Sequence, residues 1–140
     1  YSREIPKVYK EDLLNLWHWH QQRLISQLCP DALLLDCHSF PSELSDVDIC
    51  IGFNEDWSKP NKETIELAVS LFENAGYKVG INDPYSNSET PNCSFAYQSM
   101  MLEVNKRAYM EPGSLRIKHY NIYKESVRDV ITTLLLELGE

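Results

Sequence analysis

Residues 33–46, with the sequence LLLDCHSFPSELSD, place an acid, a thiol, an imidazole and a hydroxyl directly after three leucines. Side chains two positions apart in an extended chain point to the same side, so Asp36 and His38 share one face and Cys37 and Ser39 share the other. An aspartate beside a histidine fixes the imidazole tautomer for metal binding or proton transfer. A strand-end histidine satisfied by a backbone carbonyl is the alternative, and the residues alone leave both interpretations open.

A second candidate is Glu103, which interrupts the apolar stretch MMLEVN and shares its face with Met101 and Asn105. Burial disfavours the charged form of a carboxyl group and raises its pKa, which suits a general acid or base working near neutrality. If this stretch is instead an edge strand, Glu103 simply faces water.

The third candidate is the stretch INDPYSN, in which Asn82 and Tyr85 follow a strand in a loop pre-shaped by Pro84. Asn and Tyr side chains at this place could orient a polar substrate. Ordinary turn chemistry explains the same residues equally well.

Periodic apolar residues indicate the elements that must position these side chains. The spacing predicts helices over residues 7–28, 61–75 and 122–138, and strands over residues 32–35, 47–53, 77–81 and 99–110. The continuous apolar run at 32–35 is typical of a central strand buried on both faces of a parallel sheet. Residues 82–94 form a long polar loop. Strands alternating with helices predict an α/β fold with a mixed, mainly parallel sheet flanked by helices, and ligands in such folds collect where strands end at one rim.

Two histidines of the first helix look like ligands but cannot act together. His18 and His20 are two positions apart, about 200° around a helix axis, and so cannot bind one ion. His20 lies on the apolar stripe, which favours a core or rim histidine.

Composition limits the class of protein. A chain of 140 residues with 43% hydrophobic content is expected to form a single α/β domain over residues 1–140. Its net charge of −8 opposes binding to nucleic acid or anionic membranes, so the expected partners are small molecules or proteins. No membrane span or signal peptide is evident, and the oligomeric state is not indicated. Four cysteines without a Cys-x-x-Cys pair suggest reduced core thiols and a cytoplasmic location.

Taken in order, the segments WHWHQQRL, LLLDCHSFPSE, DICIG, GYKVGINDPYS and MLEVNKRAYM resemble the N-formylglutamate amidohydrolase family. Members are zinc-dependent hydrolases whose fold is similar to that of zinc carboxypeptidases. The resemblance therefore implies a phosphorylase/hydrolase-like (zinc carboxypeptidase-like) fold and one zinc ion. It also implies hydrolysis of amide or formamide bonds in small acidic substrates such as N-formylglutamate.

The resemblance also implies roles for single residues. His38 would be a zinc ligand held in its metal-binding tautomer by Asp36, and Glu103 would activate the zinc-bound water. Asn82, Tyr85 and Asn105 would help to form the substrate site. The family has an arginine directly after the asparagine, whereas this chain has Lys106 and then Arg107, so the group that clamps a substrate carboxylate is missing or shifted to Arg107.

The remaining zinc ligands are not evident in this sequence. Catalytic zinc commonly has three protein ligands, and the family takes the others from an amino-terminal segment that is not found here. The sequence also begins without an initiator methionine. We therefore expect the carboxyl-terminal half of a longer hydrolase, with a non-catalytic binding domain as the alternative. A cysteine hydrolase using Cys37 or Cys93 and a nucleotide-binding protein are disfavoured, because no histidine is suitably spaced and no glycine-rich loop is present.

Overall fold

The computed structural model describes residues 5–111, 116–117 and 120–139, with only the backbone given for residues 120–123. The elements in chain order are α1 (Lys7–Gln27), β1 (Leu33–Phe40), β2 (Ile49–Gly52), α2 (Lys62–Asn74), β3 (Val79–Ile81), β4 (Gln98–Asn105), a short 3₁₀ turn (Lys106–Ala108) and α3 (Tyr120–Glu137). All three predicted helices are confirmed. The side chain of Ile122, predicted to lie on the apolar face of the last helix, falls outside the described residues.

The four strands form one sheet in the order β1-β4-β2-β3. β1 pairs with β4 and β2 with β3 in parallel, whereas β2 and β4 are antiparallel, so the prediction of a mixed, mainly parallel sheet is confirmed. The prediction that the leucine run forms a central strand is wrong, because β1 is at the edge of the described sheet and β4 is central. Leu33 and Leu35 pack against the core from one face only. A short apolar run does not reveal the strand order.

The main hydrophobic core lies between one face of the sheet and the helices α2 and α3. Its members include Ile49, Ile51, Ala68, Phe72, Met100, Leu102, Val104, Val130 and Leu134. The helix face of the sheet therefore takes alternate residues of β2 and β4. The residues between them point to the opposite face, which we call the site face.

Local chemistry explains how α2 begins and ends. The Asn61 side chain accepts a hydrogen bond from the Thr64 backbone N–H at 2.7 Å, which caps the helix. Thr64, Ala68 and Phe72, spaced by four residues, form its buried face. The chain leaves the helix through Gly76, whose φ of +90° glycine adopts without a steric penalty.

α1 is helical as predicted, but its apolar stripe is not buried. None of its residues is buried, and Trp17 and Trp19 are more than half exposed. His20 is exposed too, so of the core and rim positions predicted for it, the core position is wrong. No helix in the described part of the chain is long and apolar enough to cross a membrane.

The fourth strand is shorter than predicted. It ends at Asn105, and residues 106–110 leave the sheet, because the Asn105 side chain accepts a hydrogen bond from the Arg107 N–H at 3.0 Å and caps the 3₁₀ turn. β1, in contrast, continues past the predicted residues 32–35 to Phe40. The Asp-Cys-His-Ser stretch is therefore part of a strand.

Candidate active site

His38 and Glu103 lie side by side on the site face. They are register partners on the parallel strands β1 and β4, and the row continues through Cys50 on β2 and Gly80 on β3. Register partners on neighbouring strands point to the same face of a sheet. The imidazole and the carboxyl group, far apart in the chain, are thus neighbours near the carboxyl ends of β1 and β4. Glu103 is not on an edge strand, so the water-facing alternative is wrong.

The Glu103 carboxyl group is buried and incompletely bonded. The residue is 8% exposed, and within the part of the chain that the structure describes, its Oε2 atom has no hydrogen-bond partner. Burial raises the pKa of Glu103; the nearby His38 opposes this shift and Asp36 reinforces it. A carboxyl group whose protonated form is favoured in this way can both accept and donate a proton.

Asp36 and His38 share a face as predicted and are in contact. His38 Nε2 lies 2.6 Å from Asp36 Oδ1, and the second oxygen of Asp36 accepts the Glu89 backbone N–H at 3.0 Å. The partner of His38 is a carboxylate and not the backbone carbonyl of the alternative interpretation. In a neutral imidazole, a proton on Nε2 leaves the lone pair on Nδ1 free. Half of the His38 side chain is exposed to solvent.

The loop that follows β3 reaches the site face from the opposite end of the sheet. β2 and β3 run against β4, so their carboxyl ends are not at the rim where β1 and β4 end. The expectation that all strand ends converge on one rim is therefore wrong. Residues 82–89, which we call the covering segment, instead cross over the site face and reach Asp36 through Glu89.

Two glycines let the covering segment lie directly on the sheet. A Cβ atom at Gly52 would be 3.0 Å and 3.1 Å from the carbonyl oxygens of Tyr85 and Asn87. A Cβ at Gly80 would be 3.2 Å from the carbonyl oxygen of Asp83. All three distances are shorter than ordinary van der Waals contact. The missing side chains thus make room for the backbone of this segment.

The two predicted substrate residues of the covering segment differ in their surroundings. Asn82 has a φ of +54°, and its Oδ1 accepts the Phe53 backbone N–H at 3.0 Å, which is turn chemistry. Tyr85 is 38% exposed, and its backbone oxygen accepts a hydrogen bond from Cys50 Sγ at 3.4 Å. Of the two side chains, that of Tyr85 is the more accessible to a ligand.

Asn105 and Arg107 hold the loop between β1 and β2. Asn105 is fully buried and donates to the carbonyl oxygens of Ser45 and Val47 at 3.2 Å and 2.9 Å. Arg107 donates from Nε to Asp48 at 3.1 Å and from Nη1 and Nη2 to the side chain and backbone of Asp46.

These bonds commit the guanidinium group to two aspartates. The Arg107 and Lys78 side chains, in turn, hold the pKa of Asp46 below its usual range, with the Lys78 hydrogen bond as the larger cause. The structure therefore brings Asp36, His38 and Glu103 together, and it gives Asn82, Asn105 and Arg107 protein partners of their own.

Sequence reasoning missed two residues of this site. Cys50 is fully buried in the row beside Glu103, and burial raises the pKa of its thiol. Its alternation with Ile49 and Ile51 is a signal that could have placed it on the site face. Glu89 carries no such signal, because only the fold brings residue 89 to residue 36.

The four cysteines differ in their burial. All four are free, but Cys29 and Cys37 are exposed, so the prediction of core thiols holds for Cys50 and is wrong for these two. Cys37 points to the face of the sheet opposite His38, as its position in β1 requires.

The zinc ion implied by the resemblance is only partly matched by these residues. Among the described residues, no group of three or more His, Cys, Asp and Glu side chains is arranged to hold a metal ion. His38, with a carboxylate on one ring nitrogen, has the chemistry of a single zinc ligand. The residues described here do not complete a metal site.

The chain is similar to known proteins in sequence and in fold. The family model described as N-formylglutamate amidohydrolase matches residues 11–110. The crystal structure of N-formylglutamate amidohydrolase from Ralstonia eutropha JMP134 is similar, with a TM-score of 0.59 and 20% sequence identity over 77% of this chain. The match covers 43% of that protein, so the chain spans less than half of its length. No curated protein matches the chain.

Proposed function

Because the chain belongs to the N-formylglutamate amidohydrolase family, we propose that it hydrolyses amide or formamide bonds in small acidic substrates such as N-formylglutamate. The observation that supports this most strongly is the Glu103 carboxyl group, which is buried beside His38 and has an oxygen without a partner among the described residues. Such a group is costly to keep unless a ligand or a proton uses it.

In this proposal Glu103 moves the proton. Amide hydrolysis requires a base that takes a proton from the attacking water and then gives it to the departing nitrogen. Burial raises the pKa of Glu103 toward the range in which one group can do both. Burial also keeps bulk water from competing for its oxygens.

Zinc is the cofactor in this proposal, with His38 as one ligand and Asp36 as the hydrogen-bond partner of that ligand. When bound, the ion would supply a water of lowered pKa. The other ligands would have to come from residues that the structure does not describe or from another chain.

Substrate binding involves Asn82, Tyr85, Asn105 and Arg107. Tyr85 has the exposed side chain that could contact a ligand directly. Asn105 and Arg107 would act by holding the loop at residues 45–48 beside the site. A cytoplasmic location, expected from the free cysteines, belongs to the same proposal.

A non-catalytic binding domain is the second candidate, and one observation favours it. Among the described residues, no group of three or more His, Cys, Asp and Glu side chains is arranged to hold a metal ion. In this case the site face would bind a small acidic molecule without cleaving it.

Formate release from N-formylglutamate tests the proposal. We would assay residues 1–140 and the longest protein that contains them, with and without a chelator, and compare Glu103→Gln with Glu66→Gln. Glu66 is an exposed residue of α2 that pairs with Lys62 at 3.4 Å, which makes it a matched control. Loss of a general base should lower the rate by about 100-fold or more, whereas Glu66→Gln should leave it unchanged.

Each result tests a separate part of the proposal. Full activity of Glu103→Gln would rule out the proposed role of the carboxyl group, and activity that ignores the chelator would rule out zinc. If both forms release no formate but N-formylglutamate shifts the NMR signals of His38 and Glu103, the chain is a binding domain.

A further inference from the structure

Glu89, the last residue of the covering segment, joins three elements through three separate groups. Its backbone N–H donates to Asp36 Oδ2 at 3.0 Å, and its carbonyl oxygen accepts the Ser99 hydroxyl at 2.6 Å. Its side-chain Oε1 accepts a hydrogen bond from Gln21 Nε2 at 2.6 Å. One residue thus connects β1, β4 and α1.

The contact with Asp36 matters because this carboxylate also contacts the imidazole of His38. A carboxylate bonded at only one oxygen can turn about its side-chain bonds, and its partner can turn with it. Here the Glu89 N–H holds Oδ2 while Oδ1 lies 2.6 Å from His38 Nε2. The orientation of the imidazole therefore depends on where Glu89 lies.

Two side chains fix Glu89 in turn. Ser99 is fully buried in β4, so water does not compete for its hydroxyl group. Gln21 is half-buried, and its hydrogen bond to Glu89 joins α1 to the covering segment. The position of α1 is thereby transmitted to the covering segment.

We propose that Glu89 is a positioning residue, which is fastened by Gln21 and Ser99 and which orients His38 through Asp36. The inference rests on the proposed function only in assigning His38 to the active site. Its tests need no substrate turnover. The positioning role can therefore fail while the proposed hydrolysis stands, and the hydrolysis can fail while the positioning role stands.

The first test compares Gln21→Ala with Gln22→Ala, an exposed neighbour on the same helix. NMR would measure the rate at which the His38 Nε2 proton exchanges with water, at a pH well above the ordinary imidazole pKa of about 6.5. Gln21→Ala removes one hydrogen bond from the series that connects Gln21, Glu89, Asp36 and His38. This loss should make the exchange about fivefold faster, whereas Gln22→Ala should leave it unchanged. Equal rates in the two variants would overturn the role of α1.

The second test compares Ser99→Ala with Ser70→Ala. Ser70 makes the same kind of bond, from its hydroxyl to the Leu67 carbonyl oxygen at 2.9 Å, but on the exposed side of α2. We expect the Glu89 amide and the His38 Nε2 proton to exchange about five- to tenfold faster in Ser99→Ala only.

If the Glu89 amide exchanges faster while the His38 proton does not, the link from Glu89 to His38 is wrong. If Ser99→Ala does not fold, Gln21→Ala decides whether Glu89 orients His38. The half-buried side chain of Gln21 can be shortened without opening the core.

Discussion

At the scale of single residues, the buried carboxyl group of Glu103 should make stability depend on pH. Its pKa is raised in the folded chain, mainly by burial. The stabilisation that this raised pKa provides is therefore fully present below the unfolded pKa of about 4.3. It is lost as the pH rises through the pKa of the folded chain.

Replacing Glu103 by Gln should remove this dependence. We expect the unfolding free energy of the unchanged chain to fall relative to that of Glu103→Gln as the pH rises above about 4, as measured by urea unfolding. The exposed control Glu66→Gln should show no such trend. A difference between Glu103→Gln and the unchanged chain that does not vary with pH would contradict the inferred burial of this charge.

Asn105 should matter more for stability than for ligand binding. It is fully buried, donates two hydrogen bonds to the 45–48 loop and accepts one from the Arg107 N–H. Asn105→Ala would leave buried carbonyl oxygens unpaired and should lower the unfolding free energy by about 2–3 kcal/mol in chemical denaturation. Loss of ligand binding at unchanged stability would instead show that the amide contacts substrate directly.

At the scale of elements, the covering segment depends on the glycine at the end of β2. In Gly52→Ala, the new Cβ would lie 2.4 Å from Met101 Cε and within 3.1 Å of two carbonyl oxygens of the segment. The flexible Met101 side chain can move, but the backbone of the covering segment can move only away from the sheet. We expect a loss of about 1–3 kcal/mol and shifted NMR signals for residues 85–89.

Gly76→Ala provides the contrast for that experiment. A Cβ at Gly76 meets no atom within 4 Å, but the φ of +90° disfavours alanine. It should therefore reduce stability by about 1 kcal/mol without moving the signals of the covering segment. Similar signal changes in both variants would mean that the segment responds to general destabilisation and not to the contact at Gly52.

The elements were also more predictable than their arrangement. Helix spacing and the cap at Asn61 are local, so all three helices could be predicted from the sequence. The edge position of β1 and the reversed direction of β2 depend on pairing between distant segments. Local patterns do not contain that information.

The same distinction separates the site residues. Asp36, His38 and Glu103 could be predicted because each is a polar residue in an apolar strand whose alternation sets its face. The role of Glu89 and the bonds of Arg107 to Asp46 and Asp48 could not be predicted, because both are contacts between segments that are more than 50 positions apart in the sequence.

At the scale of the whole molecule, stability should be distributed unevenly between α1 and the sheet. Phe72 is fully buried in the core, whereas Trp17 is more than half exposed on α1. We expect Phe72→Ala to lower the unfolding free energy by about 3–5 kcal/mol and Trp17→Ala to change it by no more than about 0.5 kcal/mol. Chemical denaturation of both variants measures this, and a large loss in Trp17→Ala would show that α1 is buried in solution.

The row formed by His38, Glu103, Cys50 and Gly80 also bears on how related genes can diverge. Successive residues of a strand face opposite sides, so one codon gained or lost early in β4 would turn Glu103 toward the helices and place Leu102 or Val104 beside His38. A residue gained or lost in a connecting loop does not reverse the faces of a strand in this way. Related genes should therefore differ in loop length, while the number of codons between Gln98 and Asn105 stays the same.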